Sequence, residues 1–402
     1  ISIYCFACNA CDTSCHLNLV KEFSPRYFLS QLKLTGLKDI ESFVVENDDL
    51  YLCLTCGMCM QECPMSKPEE GMNFVEIIRT LREYSFQNKL NGQGLQNNCT
   101  HQSMMQLNST LHSQSEPVIN RIDFIKSDPS LKITDTGEIG FFLGCFQFME
   151  NLFEIPNHEF TDIARGGIKL LNLNNVIPVV LETKCCGHDL YWMGDTENAT
   201  RLAEFNVQKM KAAGVKTIIT ECAEGYYMWK YVYPKLVPGC DFQVLHFSEY
   251  IIQSNLLKNN IMHPLKMKVT YHDPCRLGRL GNVFDPPRQI LSTLPGITFL
   301  EMKHNRTSSF CCGVSSFLDC NDKKKILREL RIQEAMDIGV EYIITTCPKC
   351  IVHYNCYLKE LTTTRQNLQN LQSDQNLSAP DSTHFPKLLD LSTFLAKYFL
   401  LI

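Results

Sequence analysis

The chain changes its hydrophobic period several times. Residues 25–46 (PRYFLSQLKLTGLKDIESFVVE) read as helical, with Leu29, Leu32, Leu34 and Leu37 expected on one apolar face. Residues 73–84 (NFVEIIRTLREY) predict a second helix. From 87 to about 117 the sequence is rich in Asn, Gln and Ser, with scattered Met and His and no surviving period. That predicts a loop or loosely ordered connector. Beyond residue 138, short apolar runs alternate with helix-length amphipathic segments, the pattern of strand–helix–strand units around parallel sheets.

This second region repeats itself. The run 139–146 (IGFFLGCF) parallels 267–275 (MKVTYHDPC), and 176–187 parallels 297–313; the first pair ends on Cys-Phe and Cys, the second on Cys-Cys-Gly. Residues 199–222, a helix candidate followed by a strand, align with 323–347. Residues 245–252 and 389–398 close the halves. The expected organisation is a helical domain (1–86), a linker (87–137) and two repeated α/β domains (138–256 and 257–402). The cysteines fall at the C-terminal ends of strands, where open α/β folds gather ligands.

Charged residues are 20% and hydrophobic residues 45% of 402, values of an ordinary globular chain. A net charge of −5 offers no basic field for nucleic acid. No apolar run approaches about 18 residues, so no transmembrane helix is expected. The first residues, ISIYCFACNAC, have neither a charged leader nor an apolar stretch, which reads as no secretory signal. The start without Met, almost on a motif, leads to the expectation that residues precede it.

Twenty-one cysteines change the picture most. Many lie too close together for a disulfide scaffold, and metal clusters in a reducing, anaerobic cytoplasm account for them better. Cys5, Cys8, Cys11 and Cys15 follow C-x-x-C-x-x-C-x-x-x-C, and Cys53, Cys56, Cys59 and Cys63 repeat it with Pro64 after the last. This is ferredoxin spacing, in which the fourth cysteine ligates the other cluster. One [4Fe–4S] cluster would take Cys5, Cys8, Cys11 and Cys63, and the other Cys53, Cys56, Cys59 and Cys15. In the linker, Cys99, His101 and His112 match no metal template.

The two repeats share a skeleton of thiols. In the second, 35 residues separate Cys275 from Cys311 and 34 separate Cys312 from Cys347; in the first, 39 separate Cys145 from Cys185 and 35 separate Cys186 from Cys222. Cys347-Pro-Lys-Cys350 is complete, whereas Cys222-Ala-Glu-Gly225 lacks its last thiol. Lys349, between two ligand candidates, reads as a screen for cluster charge. Arg276 and Arg279 beside Cys275 are candidates for binding anionic substrate groups, with ion pairs to surface carboxylates as the alternative. His188, His272 and His353 are candidate proton donors, or hydrogen-bonded structural histidines. Cys240, Cys320 and Cys356 read as buried thiols, and Tyr226, Tyr227 and Trp229 as packing.

Two ferredoxin runs followed by a doubled CCG pattern resemble the catalytic subunit family of heterodisulfide reductase in its fused, membrane-associated form. The phrase HDPCRLGR (272–279), with PPR at 286–288, resembles that family and the related sulfite-reduction membrane-complex subunit. The resemblance spans the chain apart from the linker and residues 362–381. It implies an α/β fold: a helical ferredoxin-type domain with two cubane clusters, then two CCG domains. It also implies a non-cubane [4Fe–4S] cluster held by Cys275, Cys311, Cys312, Cys347 and Cys350. The first repeat, short of a ligand at Gly225, would hold a further cluster, a zinc on Cys145, Cys185, Cys186 and Cys222, or nothing. The implied activity is reduction of a disulfide, such as the coenzyme M–coenzyme B heterodisulfide, or of a disulfide or trisulfide on a small carrier protein. Two cubane clusters would conduct single electrons to the five-thiolate site. The implied electron donor is a membrane cytochrome b-type subunit or a soluble flavin subunit, which would place the chain in the cytoplasm, peripheral to the membrane. Iron–sulfur subunits of glycolate, lactate and glycerol-3-phosphate dehydrogenases share the same pattern and imply the alternative, a relay from flavin to quinone. The final segment 388–402 would dock on a partner or pack on its own domain.

Overall fold

The computed structural model describes residues 5–19, 23–35, 39–47, 49–66, 71–90, 100–115, 121–153, 155, 158–259, 264–314, 322–372 and 385–398. In chain order its strands and its α-helices of five or more residues are α1 (Ala10–Ser14), α2 (Pro25–Thr35), α3 (Ile40–Glu46), α4 (Met58–Glu62), α5 (Phe74–Gln87) and α6 (Thr100–Gln114). The first repeat contributes β1 (Ile139–Phe142), α7 (Phe146–Leu152), α8 (Thr161–Leu173), α9 (His188–Met193), α10 (Thr196–Ala212), β2 (Thr217–Thr220), α11 (Ala223–Tyr227), β3 (Gln243–His246) and α12 (Phe247–Gln253). The second contributes β4 (Met267–Tyr271), α13 (Asp285–Thr293), β5 (Ile297–Phe299), α14 (Asp322–Asp337), β6 (Tyr342–Thr345), α15 (Pro348–Gln372), β7 (Lys387–Asp390) and α16 (Leu391–Tyr398). No helix among the described residues is long and apolar enough to cross a membrane.

The N-terminal domain is helical, as the sequence predicts, but its buried face differs in detail. α2 buries Pro25, Phe28, Leu29 and Leu32, while Leu34 is 87% exposed. Leu34 lies five positions past Leu29, more than a full turn, and so falls off the face that Leu29 and Leu32 share. Leu37 lies outside the described residues. α5 begins where expected: the Asn73 side chain accepts the Glu76 amide at 2.9 Å, a standard N-cap bond.

The repeat is visible in the sheets. The first has parallel order β1-β2-β3, and residue Val179 bridges Gly140 beside β1. The second has parallel order β5-β4-β6-β7, so the Val179 segment stands where β5 stands. The central strands β2 and β6 are buried on both faces, with Ile218 and Ile219 of β2 and Ile343 and Ile344 of β6 at their middles.

Each half closes on the other. α16 packs on α8 of the first repeat, with Ser392 Oγ donating to Ile163 O at 3.0 Å, and α12 packs on α13 of the second. Gly166 permits the first crossing: a Cβ there would stand 3.0 Å from the Ser392 carbonyl oxygen. The final helix is therefore a brace across the repeats, neither a free docking segment nor confined to its own half.

The connector is not a loop. α6 occupies 15 residues of it and packs on α9 and α10. Its inward positions include Met105, Asn108, Ser109 and Ser113, which recur at helical spacing but are mostly polar. A helix that buries amides and hydroxyls leaves no hydrophobic period to read.

Candidate metal centre

The nineteen described cysteines are all free thiols, so their convergence is not a disulfide framework. Cys99 and Cys320 lie outside the described residues, as does the side chain of His101. The His112 ring stands near Phe148 and feels the positive charges of Arg121 and Lys184, surroundings unsuited to a cation. Cys240 is buried and its thiol is pushed up to about 11 by burial, while Cys356 is half-buried.

The two ferredoxin runs fold alike. Ala7 and Thr55, the residues before the second cysteine of each run, have φ of 54° and 47°, and Asn9 and Gly57 have 70° and 76°. Left-handed backbone is costly for β-branched Thr55. It turns the Ala7 and Thr55 amides onto Cys5 Sγ and Cys53 Sγ, each at 3.4 Å. The runs also interleave. Cys11, raised to about 12 by burial, next feels Asp12 and then the thiols of Cys5 and Cys63. Cys15, raised by burial, feels Cys56 and Cys53. Cys8 is exposed.

In the second repeat the five thiols form a continuous chain. Cys350 Sγ donates to Cys312 Sγ at 3.3 Å, and each thiol acts electrostatically on the next, from Cys275 through Cys311, Cys312 and Cys350 to Cys347. Gly313 and Gly187 explain the glycine of CCG: at φ of 86° and 77° they turn the chain just after each cysteine pair. In the first repeat Cys145, Cys185, Cys186 and Cys222 also approach one another, and α6 closes on them with Ser109 Oγ 3.5 Å from Cys185 Sγ.

The residues fit an inorganic cluster. Soft thiolates converge from three loops on one point. Beside them lie Ser309 Oγ and Arg279 Nη2, buried polar atoms with no partner among the described residues, suited to acceptors such as cluster sulfides.

The arginines are held within the protein. Arg276 is buried; it donates to Thr55 O, to Thr55 Oγ1 at 2.7 Å and to His188 Nε2 at 2.8 Å, and stacks over Trp192 at 4.1 Å. Arg279 donates to Cys56 O at 2.8 Å and to the carbonyls of Thr307 and Ser309. Both expectations for them, substrate anions and surface carboxylates, give way to one cause. Backbone carbonyls left over by the left-handed Thr55 turn need donors, and the HDPCR loop supplies them. The two arginines thereby clamp the Cys53–Cys59 loop to the loop of Cys275. The Cys56 thiol lies beside Cys311 and is acted on by it, and His16 accepts the Cys311 amide at 3.2 Å.

The histidines are likewise engaged. His188 is held well below its ordinary pKa, by burial first and then by Lys349. Its Nε2 accepts from Arg276 while Nδ1 donates to Asp189 at 3.0 Å. His272, lowered to about 3 by burial, accepts from Arg331 at 3.2 Å and touches Tyr354. His353 bonds the Cys312 carbonyl at 2.7 Å. These are bonded structural rings rather than open proton donors. Tyr226 and Trp229 are packing residues, Trp229 against Phe142 and Tyr233.

One feature went unread in the sequence. Lys349 Nζ is buried between Asp189 Oδ1 and Glu224 Oε2, the latter at 2.8 Å. Burial raises Glu224 to about 7 against the pull of Lys349. In the aligned repeats, Cys222-Ala-Glu-Gly225 lies over Cys347-Pro-Lys-Cys350, so Glu224 and Lys349 are equivalent positions. They carry opposite charge and meet between the two sites. The signal was present in the alignment of the halves.

Comparison with known proteins agrees with this layout. The model of a 4Fe-4S dicluster domain matches residues 2–66, and that of a cysteine-rich CCG domain matches 139–229 and 269–355. The chain is 27% identical over 341 residues to a component of the dihydromethanophenazine:CoB–CoM heterodisulfide reductase of Methanosarcina barkeri, covering 82% of this chain and 78% of that protein. It is 28% identical over 360 residues to a component of the fumarate reductase (CoM/CoB) of Methanothermobacter marburgensis, covering 87% and 66%. EtfAB:quinone oxidoreductase of Syntrophomonas wolfei is 25% identical over 329 residues, covering 77% and 43%. The crystal structure of a hypothetical protein from Helicobacter pylori shares the fold at a TM-score of 0.56, with 11% identity over 98% of this chain and 73% of that one.

Proposed function

We propose, from the premise that this chain belongs to the fused dicluster–CCG family of iron–sulfur oxidoreductases, that it reduces a disulfide at the five-thiol site of its second repeat. The observation that carries the reading is the asymmetry of the halves. Cys275, Cys311, Cys312, Cys350 and Cys347 form an unbroken chain of sulfurs, whereas the first repeat has Gly225 in place of the fifth.

A bound cluster supplies one-electron chemistry and iron that can accept substrate sulfur. The chain's own residues supply the rest. Cys5, Cys8, Cys11 and Cys63 hold one cubane cluster, and Cys15, Cys53, Cys56 and Cys59 the other. Cys56, beside Cys311, would bring the second relay station to the reaction site. Arg276 and Arg279 keep that junction closed. Lys349, held between Asp189 and Glu224, ties the site to the first repeat. The first repeat's four thiols hold a zinc or a further cluster.

The overall conversion adds two electrons and two protons to one S–S bond and yields two thiols from a disulfide, or a thiol and a persulfide from a trisulfide. The substrate class is a heterodisulfide of the coenzyme M–coenzyme B type, as in the name of the Methanosarcina relative, or a disulfide or trisulfide on a small carrier protein. Electrons enter from a cytochrome b-type membrane protein or a soluble flavoprotein, with the chain peripheral to the cytoplasmic face.

A second reading, a pure electron relay, draws support from the relatives named for fumarate reductase and EtfAB:quinone oxidoreductase. The test is electron paramagnetic resonance of the anaerobically purified, oxidised protein with added thiol. A thiol-dependent signal from the second repeat supports disulfide chemistry; cubane signals alone support the relay. Cys350→Ser is expected to abolish disulfide reduction by at least about a hundredfold, with the N-terminal clusters still reducible. Surviving activity would refute the site.

A further inference from the structure

Arg279 has a position that holding the loop does not exhaust. Its side chain is 7% exposed, and its Nε and Nη1 are committed to the carbonyls of Cys56, Thr307 and Ser309. Its Nη2 has no hydrogen-bond partner among the described residues. The guanidinium charge acts on the thiols of Cys56, Cys275 and Cys311, and Cys56 and Cys275 each lie beside Cys311. The carboxylate that acts on it, Asp273, is taken. Arg288 holds Asp273 in a bidentate pair, at 2.6 Å to Oδ1 and 2.8 Å to Oδ2. A buried guanidinium without its own carboxylate is costly, and is retained where another anion balances it. Among the described residues, the anions left to balance this one are the sulfurs of two adjoining ligand sets.

We propose that Arg279 is a shared electrostatic tuner, which raises the reduction potentials of both the Cys56-side cluster and the Cys311-side cluster. Reduction adds negative charge, and a fixed positive charge in a poorly screened interior stabilises the reduced form of each. Electrons arriving from the Cys5–Cys11 side are thereby drawn to the junction and held there. Arg279 is a positioning residue in this role, since it acts through the clusters and touches no substrate. The proposal rests on the reading that these thiols hold clusters.

The test is a redox titration followed by electron paramagnetic resonance, on the iron-loaded protein and its Arg279→Gln and Arg279→Lys variants. In Arg279→Gln both junction clusters are expected to become harder to reduce, by about tenfold in the one-electron equilibrium, or about 59 mV. Arg279→Lys, which keeps the charge, is expected to fall between Gln and the native protein. The cluster of Cys5, Cys8, Cys11 and Cys63 should not move and serves as the internal control. Unchanged potentials, or equal shifts at all clusters, would overturn the proposal. So would loss of iron from both variants, which assigns Arg279 to anchoring alone. Absence of cluster signals in the native protein would instead overturn the ligand reading on which it rests.

Discussion

Replacing Lys349 by methionine removes the ammonium between Asp189 and Glu224 and keeps much of the side-chain volume. All three side chains are nearly inaccessible, at 3%, 4% and 8%. With His188 neutral and at a pH above about 7, where Glu224 is ionised, the local charges are Lys349 and Arg276 against Asp189 and Glu224, and they sum to zero. At the 2.8 Å separation of Lys349 and Glu224, an effective dielectric of about 20 gives a gross attraction of about 6 kcal/mol. Desolvation of both ions cancels much of that. What remains visible is the penalty of stranding the partners, about 3–5 kcal/mol for removing one member of a buried pair. Lys349→Met is therefore expected to lose about 3–5 kcal/mol of stability. Glu224→Gln should lose less, about 1–3 kcal/mol, because Asp189 still answers the ammonium. The double variant should lose less than the sum by at least about 1 kcal/mol, since each change relieves the orphan left by the other. Guanidinium unfolding under argon, on iron-loaded protein, measures all three. A Lys349→Met variant within about 0.5 kcal/mol of native, or strict additivity, would refute a stabilising contact between the halves.

Two further substitutions probe the frame around the site. His158 is buried with neither ring nitrogen bonded among the described residues, and burial lowers its pKa to about 4. Its folded value lies below the ordinary 6.5 or so, so unfolding takes up a proton; its stability contribution is full above about 6.5 and is lost as pH falls towards 4. Between pH 7.5 and 5 that loss is about 2 kcal/mol, and His158→Phe should remove it from the pH dependence of the unfolding midpoint; an unchanged pH slope counts against the assignment. Gly166→Val would press a branched side chain on the Ser392 backbone, 3.0 Å from where its Cβ would stand, and should cost about 1–3 kcal/mol by lifting α16 from α8. Tolerance of valine in a thermal melt would mean that the brace is loose.

What could be read beforehand divides along physical lines. Ferredoxin loops and CCG pairs were legible because cluster ligation forces thiols into fixed spacings, and the repeat because buried parallel strands are continuously apolar. Residues 100–114 were illegible because the face α6 buries is made of Met105, Asn108, Ser109 and Ser113, which carry no hydrophobic period. Arg276 and Arg279 read as candidates for substrate anions or surface carboxylates because a charge beside a ligand suggests an anion. Their true partners, the carbonyls of Thr55 and Cys56, lie 221 and 223 residues away in the chain. No local pattern announces a partner at that distance. Leu34 shows the opposite error, an apolar residue assigned inward by type although its angle on the helix points it to solvent.

The duplication itself explains why Glu224 and Lys349 meet. Where two copies of a domain face each other, equivalent residues near the line between them come into contact. Two identical copies would set like beside like, and in this buried place like charges repel with little screening. Divergence to opposite charge turns the same geometry into an attraction, and the backbone follows it, with the Ala223 amide bonded to Thr346 O at 2.9 Å. One position further on, the copies diverge again. A Cβ on Gly225 would stand 3.0 Å from Thr220 Oγ1, so the first repeat has tight quarters where the second carries Cys350. The two differences belong together. The half that lacks a thiol carries a carboxylate, and that carboxylate holds the lysine lodged between the last two thiols of the other half. The first repeat is thus the electrostatic counterpart of the second, and the setting of the five-thiol site is a property of the pair.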